Sequence, residues 1–216
     1  SHILVPSVPT VHVVARDLGQ TSLTANNSFL KRPFNLQIEL TNACNLRCIM
    51  CPRQQMTRPI GFMKFSLFKK IIDETATVDN ITLHHFGDPL LHPEVVEMIN
   101  AAKDSGTRIV GMGTNAVALT DEVAKDLLGS RLDFLILSVD GTGSAYEQVR
   151  VGTKWENVVE NIRNFLELKT IGTPEICLQI IDMPNVNVDE SVAFWRTFKN
   201  IDAIQIKKFE TWAHQI

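Results

Sequence analysis

The sequence predicts an α/β fold, a partial (β/α)6 TIM-like barrel, and three observations point to it. From Phe34 onward, six short apolar or β-branched runs alternate with helical patterns of about ten to fifteen residues, the rhythm of repeated βα units. The polar and glycine-bearing stretches that look chemical fall just after the strand-like runs, where such folds keep their sites. Six units are too few to close an eight-stranded barrel, so a curved, partial one is expected. An open, doubly wound sheet is the alternative that periodicity does not separate.

In chain order, residues 1–33 read as a mixed lead-in with one short strand at 11–15. The first strand is expected over 35–40 and its helix over 66–75, with Ser66 as N-cap and Phe68, Ile71 and Ile72 as an apolar face. Strand two covers 80–86, and its helix runs over 93–105, from Pro93 to a stop at Gly106. Strand three is 108–112, helix three 121–129, strand four 134–139 and helix four 155–168. Strand five follows at 175–181, helix five at 189–198 and strand six at 203–207. The barrel is therefore placed at 34–208, and 209–216 read as the start of a C-terminal extension.

The chain has 216 residues, 44% of them hydrophobic, enough for one sizeable core. Its net charge is -3, from 21 basic and 24 acidic residues without a Lys/Arg block, which gives no electrostatic reason to expect nucleic acid or a membrane surface. No apolar run reaches the ~18 residues of a membrane span, so a cytoplasmic location is expected. A small molecule or peptide is the default substrate.

Three of the four cysteines crowd into Cys44-x3-Cys48-x2-Cys51, on the loop after the first strand, with Cys177 far away. This is no disulfide framework. Tetrahedral zinc prefers four ligands in two pairs, and here His84, His85 or Cys177 would have to supply the fourth. Three thiolates suit a four-iron, four-sulfur cluster with one iron left open for a ligand. The spacing leaves both metals possible, including a zinc-binding structural or interaction domain without catalysis.

At this point the sequence resembles a known family. The cysteine triplet is similar to the signature of the radical S-adenosylmethionine (radical SAM) enzymes, and the resemblance covers roughly 34–208. It implies a [4Fe-4S] cluster held by Cys44, Cys48 and Cys51, whose open iron chelates S-adenosylmethionine. It also implies reductive cleavage to a 5'-deoxyadenosyl radical that abstracts a hydrogen atom from substrate, and an electron donor such as flavodoxin or ferredoxin.

Phe86-Gly87-Asp88-Pro89 resembles the family's GEP segment, which holds the cofactor's amino group; Asp88 replaces the usual Glu. Gly87 lets the chain approach a ligand closely and Pro89 fixes the turn. Thr114-Asn115-Ala116 resembles the TNG turn, with Ala116 in place of glycine. Ser138 and Asp140 share one side of strand four, and Arg150 can clamp a carboxylate through two parallel bonds or form a surface salt bridge. The resemblance assigns Ser138 and Arg150 to the methionine carboxylate.

Met50 holds a position often occupied by an adenine-contacting aromatic, or else plugs the core. Gln179, a candidate cofactor contact, resembles a polar position of strand five that faces the barrel interior in the family, and alternation puts Cys177 on its face. Cys177 is thus a candidate hydrogen-atom donor or a small core residue. His84 and His85 should face opposite ways, one toward the interior and one toward the helices. Lys207 and Lys208 end near the expected rim.

Phe209-Glu210-Thr211-Trp212 resembles the segment that, in the SPASM/twitch subclass, leads into a domain with auxiliary clusters. With no cysteine after Cys177, either that domain is missing or the enzyme runs on one cluster. The subclass implies epimerisation, dehydrogenation, cross-linking or methylation of peptides and small natural products.

Overall fold

Parallel neighbours in a sheet must be joined by a crossover, and crossovers of one hand place every helix on one face when the strands are added in chain order. The computed structural model, which describes residues 35–75, 78–170, 172 and 174–209, has this arrangement. Its strands are β1 (Asn35–Gln37), β2 (Asn80–Leu83), β3 (Ile109–Thr114), β4 (Phe134–Ser138), β5 (Glu175–Asp182) and β6 (Ala203–Lys208). All are parallel, in the order β1-β2-β3-β4-β5-β6. The order never reverses, which removes the doubly wound alternative. Among the described residues β1 and β6 pair only with their inner neighbours, so the barrel is partial.

The helices are α1 (Phe65–Glu74), α2 (Val95–Asp104), α3 (Asp121–Gly129), α4 (Gly143–Val149), α5 (Trp155–Leu168) and α6 (Val188–Trp195). α3 and α5 match the sequence expectation residue for residue. α1 starts one residue earlier than expected, with Lys64 as its N-cap, so Ser66 lies inside the first turn and caps nothing. α2 begins at Val95 rather than Pro93, and Gly106 ends it at φ +91°. β2 ends at Leu83, because beyond it the amide of Phe86 bonds across to the carboxylate of Glu39 at 3.0 Å instead of continuing the ladder. α4 was not expected from the sequence: seven residues opening on glycine carry too little periodicity to be seen.

Register fixes the two faces. Leu83, Met112, Leu135 and Ile176 are partners across β2 to β5 and are fully buried against the helices. On the concave face, Gly113, Ile136, Cys177 and Ala203 form one row. Ser138, Gln179 and Gln205 form the row nearer the carboxyl ends. Trp155, Phe194, Trp195 and Phe198 pack α5 on α6, with ring centroids 5.0 to 5.6 Å apart. No helix among the described residues is long and apolar enough to cross a membrane. The lead-in at 1–33 and most of the 209–216 segment lie outside the described residues.

Candidate active site at the carboxyl end of the sheet

The cysteine loop leaves β1 through a polar clasp. Thr41 Oγ1 donates to the carbonyl of Gly61 at 2.7 Å, and Asn42 bonds Pro59 and Gly61 at 2.9 and 2.8 Å. Along the loop, burial alternates: Leu46, Cys48 and Met50 point inward while Asn45, Arg47 and Ile49 are exposed. Two backbone bonds zip this stretch to the end of α4, Arg47 to Val151 at 2.8 Å and Ile49 to Val149 at 3.0 Å. Gly152 makes the approach possible: at φ +118°, an added Cβ would lie 3.2 Å from the Asn45 carbonyl.

Burial pushes the thiols of Cys44, Cys48 and Cys51 up, so an incoming metal must displace their protons. Among the described residues, no three His, Cys, Asp or Glu side chains gather tightly enough to hold a single ion. Thiolates that each reach a different iron of a cluster have no need to converge on one point. Three soft donors on one short loop, all unpaired with each other, fit such a cluster.

Gly87 is required by the chain itself rather than by a ligand alone. A methyl group there would overlap the carbonyl oxygen of Thr41 and sit 2.7 Å from that of Ala43. The next amide, Asp88 N, donates to Ala43 O at 2.8 Å. The Asp88 carboxylate is buried and filled by internal donors: Leu90 N at 3.0 Å, Thr114 Oγ1 at 2.9 and 3.0 Å, and Asn115 N at 2.8 Å. Burial pushes its pKa up, and those bonds partly offset this. Asp88 is turned into the protein, binding the ends of β2 and β3 together, not toward an external amino group. Pro89 opens a 3-10 turn, Pro89–Leu91.

Asn115 reaches the metal loop directly, with Nδ2 3.6 Å from Cys44 Sγ and 2.8 Å from Asn45 Oδ1. Ala116 adopts φ +61°, the left-handed turn for which glycine is usual. Ser138 is half-buried at the end of β4, and its hydroxyl has no partner among the described residues. Asp140 is fully buried and, like Asp88, is used internally, by Arg150 and by the Ile181 amide. Burial opposes the charge of Arg150, but Asp140 and Cys48 beside it raise its pKa, so the guanidinium stays charged at the inner wall of the cysteine loop.

On the concave face, Gln179 is half-buried and donates to Gln205 at 3.2 Å. Cys177 is buried, on the face opposite the helix-packed Ile176 and Leu178, and burial pushes its thiol up. His84 lies against Gly113 with a buried, unpartnered Nδ1; desolvation with the nearby His85 and Lys207 holds its pKa at about 4. His85 is exposed and packs on Phe86, not on the helix layer, because β2 has already ended. Met50 is buried within the core cluster. Lys207 and Lys208 are exposed.

Beside Cys51, a cavity of about 530 Å³ is lined by Pro52, Gln55, Met56, Thr57, Arg58 and Phe86. Its Arg58 pairs with Glu39, a contact with no local sequence signal because the partners stand on separate elements.

Comparison with known proteins identifies the family and the fold. The model of the radical SAM superfamily matches residues 38–195. A tungsten-containing aldehyde ferredoxin oxidoreductase cofactor-modifying protein of Pyrococcus furiosus is 31% identical over 153 residues, 68% of this chain and 43% of the relative. A GTP 3',8-cyclase of Thermodesulfovibrio yellowstonii is 27% identical over 190 residues, 84% of this chain and 52% of the cyclase. The chain thus spans about half the length of these relatives. Streptococcus suis SuiB bound to its precursor peptide SuiA shares the fold, with a TM-score of 0.71 over 85% of this chain and 41% of SuiB at 14% identity. The family's cofactors are a [4Fe-4S] cluster and S-adenosylmethionine, which decides for iron the choice that the cysteine spacing left open. With three thiols on the first βα loop and the matched span running from the residue after β1 to the end of α6, the chain belongs to the radical SAM superfamily.

Proposed function

We propose that the chain catalyses a radical reaction begun by reductive cleavage of S-adenosylmethionine, acting on a peptide or small natural product bound at the concave face. When bound, the cluster and its cofactor supply an electron and a 5'-deoxyadenosyl radical that abstracts a hydrogen atom. The observation that carries this reading is the meeting of the strand ends at the metal loop: Asn115 lies 3.6 Å from Cys44 Sγ, and Gly87 and Asp88 close on Thr41 and Ala43.

In this reading Cys44, Cys48 and Cys51 hold the cluster. Arg150, kept charged by Asp140, and the free hydroxyl of Ser138 receive the cofactor's carboxylate. Gly87 and Pro89 shape the backbone that meets its amino group, while Asp88 and Thr114 keep that backbone in place. Asn115 steadies Cys44. Gln179 and Met50 border the nucleoside. Cys177 returns a hydrogen atom to a substrate radical, for which a thiol kept protonated by burial is suited. The reaction outcome is epimerisation, dehydrogenation, cross-linking or methylation, and the electron comes from a carrier such as flavodoxin or ferredoxin in the cytoplasm.

The test is anaerobic incubation with dithionite and S-adenosylmethionine, following 5'-deoxyadenosine. Product is expected with the wild-type chain and none with Cys44→Ala, Cys48→Ala or Cys51→Ala. Full activity in any one of the three would remove that cysteine from the site.

A further inference from the structure

We propose that the outer face of the cysteine loop, formed by Arg47, Ile49 and Val151 with the half-buried Arg53 bonded to the loop at Leu46, is the docking surface for an acidic one-electron carrier protein. This rests on the function proposed above, which requires a single electron per turnover. The carrier is a flavodoxin-type protein whose reduced flavin is oxidised by one electron while the cluster is reduced by one; no atom is exchanged.

The concave side of the loop faces cofactor and substrate, so a protein donor must arrive from outside. Electron tunnelling falls off exponentially with distance, which favours the thinnest wall over the metal. The alternation of burial makes that wall one backbone thick: Cys48 points inward, and its neighbours Arg47 and Ile49 point out. Ile49 is 48% exposed and Val151 41%, and the two backbone bonds to Val149 and Val151 bring these apolar side chains onto one patch.

The charges at the patch suit an acidic partner. Among the described residues no carboxylate forms an ion pair with Arg47 or Arg53, although the whole chain carries a net charge of -3. Arg53 is held in place by its bond to the Leu46 carbonyl at 2.8 Å, so little side-chain freedom is lost on docking. The neighbouring Lys154 and Glu147 neutralise each other. An apolar centre with the exposed, uncompensated Arg47 at its rim gives steering and orientation, and redox partners associate through small interfaces.

The experiment measures binding of oxidised flavodoxin to the anaerobically purified protein by calorimetry at low ionic strength, for wild type, Arg47→Glu and Val151→Asp. Each variant is expected to bind about tenfold more weakly, with the Arg47→Glu deficit shrinking as salt is added. Stopped-flow reduction of the cluster by flavodoxin hydroquinone should slow in parallel, while reduction by dithionite and the iron content stay at wild-type values. Unchanged binding and unchanged flavodoxin-driven reduction in both variants would overturn the proposal, as would a wild-type chain that binds no acidic carrier. Absence of 5'-deoxyadenosine with dithionite in the wild type would instead sink the proposed function, and the binding comparison still decides the surface.

Discussion

Asp140 holds Arg150 through a single carboxylate oxygen, which accepts from Nε at 2.8 Å and from Nη2 at 2.5 Å, and gives its other oxygen to the amide of Ile181 at 2.6 Å. The carboxylate is fully buried, and the Arg150 side chain nearly so. Asp140 therefore acts as a positioning residue that ties α4's end to β5 and aims a permanent cation at the metal loop.

Removing it strands that cation. Asp140→Ala is expected to cost about 3 to 5 kcal/mol, the usual penalty for leaving one member of a buried pair unpaired. Asp140→Asn keeps one of the two acceptor oxygens and the side-chain volume and should cost less. Denaturant unfolding of the metal-free chain measures both; a loss under about 1 kcal/mol for the alanine variant would contradict the account.

Gly87→Ala places a methyl group on the Thr41 carbonyl. The backbone on both sides is fixed by the Asp88 to Ala43 bond, so the loop must shift at a cost of at least about 2 kcal/mol. Iron content after reconstitution should fall together with thermal stability. Wild-type iron loading in a stable Gly87→Ala protein would show that the close approach is unimportant.

His84 sets a pH dependence. Its folded pKa of about 4 lies below the unfolded value of 6.5, so the unfolded chain binds more protons between those values. The contribution is fully present above pH 6.5 and is lost as pH falls toward 4. Unfolding of the metal-free chain should show this decline, and His84→Gln should flatten it. A His84 imidazole resonance, assigned by its loss in His84→Gln, that titrates near pH 6.5 in the folded protein would refute the buried, neutral assignment.

Tyr146 buries its hydroxyl without a partner, against Trp155 at 5.0 Å between ring centroids. Burial pushes its pKa up, so the group is neutral. Tyr146→Phe removes an unsatisfied polar group without opening a cavity and should stabilise the metal-free chain by about 1 kcal/mol. A loss of similar size would mean that the hydroxyl is bonded.

The sheet was legible from the sequence because each strand and crossover helix carries its own local period. α5 was legible from the helical spacing of Trp155, Phe165 and Leu168, although of these Leu168 is exposed and Val158, Val159 and Ile162 complete the buried face. α4 was missed because seven residues do not establish a period, and β2 was drawn too long because nothing local announces that Glu39 takes the Phe86 amide. The site residues were found by position, just past strand ends, but two roles were not readable. Asp88 and Asp140 look like ligand groups in a sequence. Their oxygens are spent on Thr114, Asn115, Arg150 and Ile181, partners 10 to 41 residues away, which only the folded chain brings near.

The most direct test of the central claim, that three cysteines leave one iron open to the cofactor, is electron paramagnetic resonance of the reduced, reconstituted protein before and after S-adenosylmethionine is added. The account predicts four irons and four sulfides per chain bound through Cys44, Cys48 and Cys51, and a cluster signal that changes shape and position on addition. A signal indifferent to S-adenosylmethionine, or a stoichiometric zinc ion in place of iron in anaerobically prepared protein, would contradict it.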